Sequence, residues 1–153
     1  MNPLGEHVGH REGACAFRMM RTDEFSSAPS FATSEAEADG LGWLLRYVWT
    51  HPDDGTQSAT LLLGSPDEDG AVTAAWVDAW HQRPHLGVLT GSAFDGVVHV
   101  AMEYGGWGWT IDVSGDGDDL RMVMNNVIPD GIEGAEPGPY KVMDAHWKRV
   151  IAP

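Results

Sequence analysis

Short apolar or alternating runs, broken at nearly regular intervals by Gly, Asp and Pro, dominate this chain. Arg11 to Met20 reads as a first strand, and Arg21 to Ala28 as a connection. Ser30 to Ala38, Leu41 to Thr50, Thr56 to Leu63 and Ala71 to His81 follow, the last ended by Pro84. Leu86 to Ala93 and Val97 to Tyr104 flank Asp95-Gly96, a strong hairpin signal because Gly accepts the positive φ of a tight turn. Trp107 to Val113 and Leu120 to Ile128 flank a turn at Gly115 to Asp119, and Tyr140 to Ile151 closes the series after a Pro129 to Pro139 loop. Such spacing predicts an up-and-down meander of about ten strands, since parallel neighbours need long crossovers. An open sheet of that size would leave two unpaired edges, and closure into a single antiparallel β-barrel removes them. The best helical window, Ser34 to Gly42, is short, so at most one short helix is expected.

A chain of 153 residues is one domain in length, with residues 1–10 expected to be a flexible N-terminal segment. The charge narrows the partners. Lys and Arg total 9 against 23 Asp and Glu, a formal charge of −14. A surface that negative repels phosphate backbones and anionic lipid, so neither nucleic acid nor a membrane is expected as a partner. Cys15 is the single cysteine and excludes an intrachain disulfide, which fits a reducing compartment. No run approaches the roughly 20 apolar residues of a membrane-spanning helix. The expectation is a soluble, cytoplasmic protein, monomeric or homodimeric through an outward aromatic patch.

The runs Arg46-Tyr47-Val48-Trp49, Ala74-Ala75-Trp76-Val77-Asp78-Ala79-Trp80-His81, Trp107-Gly108-Trp109 and Leu120-Arg121-Met122-Val123-Met124-Asn125 carry a resemblance. From about Leu41 to Arg149 the chain resembles an uncharacterised group of bacterial lipocalin-like domains. More distantly its plan is similar to the calycins: lipocalins, fatty-acid-binding proteins and nitrobindin-type haem barrels. It departs from the lipocalin start, where Gly-x-Trp is usual and Gly9-His10-Arg11 stands here. The resemblance implies a barrel holding a small apolar ligand, and the nitrobindin likeness raises haem as an alternative, ligated by His146.

A ten-stranded barrel is wide enough to keep a cavity that side chains do not fill. Alternate residues on a strand share a face, so Tyr47 goes with Trp49, Trp76 with Asp78 and Trp80, and Arg121 with Asn125. Seven tryptophans suit either a filled core or a wall for a planar ligand, whose orientation the indole N–H can fix. The expected ligand-binding set is Tyr47, Trp49, Trp76, Asp78, Trp80, Trp109, Arg121, Met124, Asn125 and His146. Asp78 holds two readings. Facing an apolar cavity, its pKa would be raised by desolvation and it could act as a general base, unless Arg121 or His146 pairs with it. Facing solvent, it would leave Ala75, Val77 and Ala79 inside.

Other templates fail. A calcium loop begun at Asp112 runs well through Ser114, Asp116 and Gly117, then reaches Val123 where a bidentate Glu is required. His7 with His10, and His81 with His85, lack the third ligand of a zinc site. P-loop, G-x-S-x-G and G-x-G-x-x-G signatures are missing from the sequence. Binding of a small hydrophobic molecule, with no bound cofactor, is therefore the leading expectation. The alternative is a cofactor-free isomerase or cyclase on the same cavity, with Asp78 or His146 moving a proton; a barrel packed full, purely structural, is the third reading.

Overall fold

The computed structural model describes residues 2–151. Ten strands follow one another: β1 (Gly9–Phe17), β2 (Ser26–Glu37), β3 (Gly42–His51), β4 (Gly55–Gly64), β5 (Ala71–Asp78), β6 (Gln82–Phe94), β7 (Val97–Tyr104), β8 (Trp107–Asp116), β9 (Asp119–Ile128) and β10 (Gly138–Arg149). Each pairs antiparallel with its sequence neighbour, and β1 pairs with β10 to close the ring. The plan is a closed, all-antiparallel, up-and-down β-barrel. The only helical turn among the described residues is a short 3₁₀ turn at Ala38–Gly40, inside the Ser34 to Gly42 window.

Alternation decides what goes inside. In β3, Trp43, Leu45, Tyr47 and Trp49 are buried, whereas the residues between them face outward. In β5, Val72, Ala74, Trp76 and Asp78 point inward, so the solvent-facing reading of Asp78 is excluded. In β9, Leu120, Met122 and Met124 are buried, which turns Arg121 and Asn125 to the outside. A register shift in β10 between Lys141 and Met143 lets the adjacent Val142 and Met143 both be buried. At the closing seam the strands come close. A Cβ at Gly13 of β1 would lie 1.8 Å from the His146 carbonyl oxygen, so only glycine fits there.

The two ends differ. At the lower rim, where β1 begins and β10 ends, residues 2–8 fold across the opening. Leu4 is completely buried among the core side chains. Asn2 donates to the Leu63 carbonyl, and the His7 carbonyl accepts from Ser34 Oγ at 2.6 Å and from Trp43 Nε1 at 3.2 Å. Over this stretch, expected as a flexible N-terminal segment, an apolar plug and its hydrogen bonds tie the chain to the barrel. Above it, Leu45, Leu61, Leu89, Val100, Ile111 and Met122 fill the interior without exposure.

At the upper rim the ring is less complete. The β6–β7 ladder joins only Thr90–Phe94 to Val97–Ala101. The upper part of β6 is irregular on its other side too, with a register shift between Trp76 and Asp78 of β5. Pro84, expected to end a strand, lies within β6 in this irregular span, where a missing N–H costs no ladder bond.

Candidate functional site

Asp78 organises the upper interior. It ends β5, and the Asp78-Ala79-Trp80-His81 turn folds back on its carboxylate. Oδ1 accepts the backbone N–H groups of Trp80 at 2.8 Å and His81 at 2.9 Å, the Asx-turn habit of aspartate. This is why β5 stops at Asp78 and not at His81. Oδ2 accepts from Tyr47 Oη at 3.3 Å and Trp49 Nε1 at 3.1 Å, and Trp76 Nε1 donates to Tyr47 Oη at 3.0 Å. His81 Nδ1 stands 3.4 Å from the same oxygen, within ion-pair range though not aligned as a hydrogen bond. One oxygen shapes the turn; the other holds the aromatic layer beneath it.

Burial of the carboxyl raises its pKa, but the His81 ring and the turn's N–H groups outweigh that cost and hold it below the usual aspartate value. The sequence-based expectation of a raised pKa for Asp78 is therefore corrected. Asp78 is a satisfied, ionised carboxylate that positions its neighbours. Burial also pushes the Tyr47 hydroxyl well up, with the Asp78 charge adding to it, so Tyr47 stays a neutral donor.

Above this layer lies a cavity of about 270 Å³, with Trp76, Trp80, His81, Met102 and Trp109 among its walls. Trp76 and Trp109 stack with ring centroids 5.4 Å apart and planes 16° off parallel. His81 stacks on Trp49 at 5.0 Å, and His51 on Trp80 at 4.7 Å. Trp80 also ties two upper loops together, its Nε1 donating to Asp54 at 2.8 Å. His51 Nδ1 accepts the backbone N–H groups of Asp53 and Asp54, each at 3.0 Å. Rings locked in this way give a preformed wall, with little side-chain entropy left to lose on binding.

Polar groups ring the mouth. Tyr104 Oη donates to Asn126 Oδ1, and Asn126 Nδ2 donates to Tyr140 Oη at 3.0 Å. Arg18 donates from Nε to the Lys141 carbonyl at 2.7 Å, and its guanidinium lies 4.4 Å over the Phe25 ring.

The expected site residues divide four ways. Trp76, Trp80 and Trp109 line the cavity. Tyr47, Trp49 and Asp78 lie directly behind that wall. Met124 points inward but is deep core filling. Arg121, Asn125 and His146 are corrections: all three face away from the interior. Arg121 pairs with Asp144 at 2.8 Å, Asn125 donates to Thr110 at 3.2 Å, and His146 meets Asp119 at 2.8 Å on the outer surface. The partner of Asp78 is thus neither Arg121 nor His146 but His81. Sequence reasoning also missed Phe17, Met102, Tyr104 and Asn126 as wall residues. Two signals were present. Asp-x-x-His is an Asx-turn spacing that returns the His to the carboxylate, and the alternation of β9 selects Asn126 over Asn125.

Haem does not fit the residue proposed for it, because the His146 ring is outside the barrel and bonded to Asp119. Among the described residues, no group of three His, Cys, Asp or Glu side chains could hold a metal ion. No helix among them is long and apolar enough to cross a membrane. No family model matches the sequence, and no curated protein matches it.

Proposed function

We propose that this barrel binds a small hydrophobic molecule in its upper cavity, as a lipocalin-like carrier or receptor domain. The carrying observation is the contrast in filling: the lower and middle interior is solid, while the upper end is hollow behind rigid, hydrogen-bonded aromatic rings. A volume of about 270 Å³ falls just below the range of ligand pockets, roughly 300–1,000 Å³. The ligand is accordingly one or two rings in size, and not a long acyl chain. The parted upper strands β6 and β7, with Met102 and Tyr104 at their edge, supply a side approach.

Tryptophan fluorescence titrated with naphthalene tests this reading. Saturable quenching is expected for the wild type, and its loss for Met102→Trp, which fills the cavity. A wild type that shows no saturable response overturns the reading. A second reading, proton-transfer catalysis by an isomerase or cyclase, is favoured by one observation: a histidine held beside a buried carboxylate in the cavity wall. In that reading His81 takes the role first given to Asp78 or His146.

A further inference from the structure

The polar groups around the cavity are unequally satisfied. Gln82 Nε2 donates to the His85 carbonyl at 2.9 Å. Tyr104, Asn126 and Arg18 are engaged as described above. Two groups in the wall are different. The Trp109 indole N–H is buried with no acceptor. His81 Nδ1 faces Asp78 without an aligned hydrogen bond, and no protein donor meets His81 Nε2 among the described residues, although the ring is part of the wall. A carboxylate only accepts hydrogen bonds, so the nitrogen facing Asp78, Nδ1, carries the proton. In the neutral ring Nε2 then presents a lone pair. The His81 and Trp109 rings, with centroids 5.1 Å apart, border the same stretch of the cavity.

We propose that the cavity selects a planar aromatic ligand bearing a hydroxyl group, whose O–H donates to His81 Nε2 while its oxygen accepts from Trp109 Nε1. This deepens the binding function proposed above and rests on it. A hydroxyl both donates and accepts, so it satisfies both groups with one atom. A pure hydrocarbon satisfies neither. A carboxylate brings no donor for Nε2 and sets a second negative charge near Asp78. An ammonium brings no acceptor for the indole. If the proton crosses, the ligand O–H bond breaks and an Nε2–H bond forms, giving a phenolate and an imidazolium flanked by Asp78. No other reactant is needed. The titratable groups nearest the His81 ring are Asp78 at the end of β5, Tyr47 and His51 on β3, and Arg18 and Tyr104 at the mouth.

Calorimetric titration with 4-methylphenol and its methyl ether, 4-methylanisole, separates the possibilities. The pair differs by one hydroxyl proton. The phenol is expected to bind about 10-fold more tightly or better, the scale of one buried hydrogen bond in a charged network. His81→Phe removes the acceptor and Trp109→Phe removes the donor while keeping a ring. Each is expected to shrink the preference below about 3-fold, with native circular dichroism confirming the fold. A wild type that binds both compounds equally overturns the hydroxyl inference and leaves cavity binding standing. A preference unchanged in both variants also overturns it. If neither compound nor toluene binds, the cavity reading and this inference fall together. The wild-type comparison does not depend on either variant folding.

Discussion

The lower and upper ends of the barrel are made by the same strands and obey the same inward alternation, yet one is solid and the other hollow. At the lower end the inward positions are mostly aliphatic, and Leu4 from outside the ring completes the filling. Aliphatic side chains interdigitate and leave little room. At the upper end the inward positions are Trp, His and Tyr, held edge-on or stacked by hydrogen bonds to Asp78 and to one another. Rings fixed in this way cannot collapse into the space between them. A polar anchor behind an aromatic wall therefore preserves a cavity that an aliphatic lining would close.

That contrast can be broken most severely at the plug. Leu4→Ala is expected to destabilise the fold by about 2–5 kcal/mol in urea denaturation, the cost of a cavity in closed packing. Met102→Ala, at a wall already bordering empty volume, is expected to cost only about 1 kcal/mol. Equal costs would show that the two ends are packed alike.

Asp78→Asn comes next, at about 2–4 kcal/mol, because the amide leaves buried N–H and O–H donors poorly matched around one remaining acceptor oxygen. The same variant sharpens the electrostatics. The folded pKa of Asp78 lies below its ordinary value of 3.8, so its ionised form stabilises the fold fully above that value. The contribution is lost as the pH falls through the folded pKa. Thermal melts taken from about pH 4 down to about pH 2 should thus fall more steeply for the wild type than for Asp78→Asn. Parallel slopes would remove Asp78 from the account of acid stability.

The smallest effect is expected at Cys15. Burial, with the Asp144 and Asp78 charges, pushes its thiol up to about 12. The native protein should be inert to a disulfide-exchange reagent at about pH 8 and react once denatured. Rapid native labelling would show that the β1 wall opens.

The fold was legible because its signals are local. Asp95-Gly96 marks a turn within a few residues, and alternation in β3 separates Trp43 and Tyr47 from Leu44 and Arg46 with no tertiary information. The site was legible only in its indoles. Trp76 and Trp109 are inward by parity, but β5 is apolar on both faces, so Asp78 needed the closed ring to be placed. Arg121 and His146 face outward, where a charged or polar side chain needs no ligand to explain it. Alternation had already put Leu120 and Met122 inside and Arg121 out. Residues 2–8 carry no periodicity, and one leucine among polar neighbours does not reveal a plug.

The parted span of β6 and β7 has a consequence for solubility. A closed barrel offers no strand edge to another chain, but these two strands, above Thr90 and Ala101, run on without pairing each other. Unpaired N–H and C=O groups of that kind are templates for strand addition between molecules. Arg83, Pro84 and His85, all exposed, occupy that stretch of β6. A charge repels a second strand, and a proline offers it no hydrogen to pair with. The same irregular segment that leaves the cavity a side approach thereby keeps the opening from becoming a seed for aggregation.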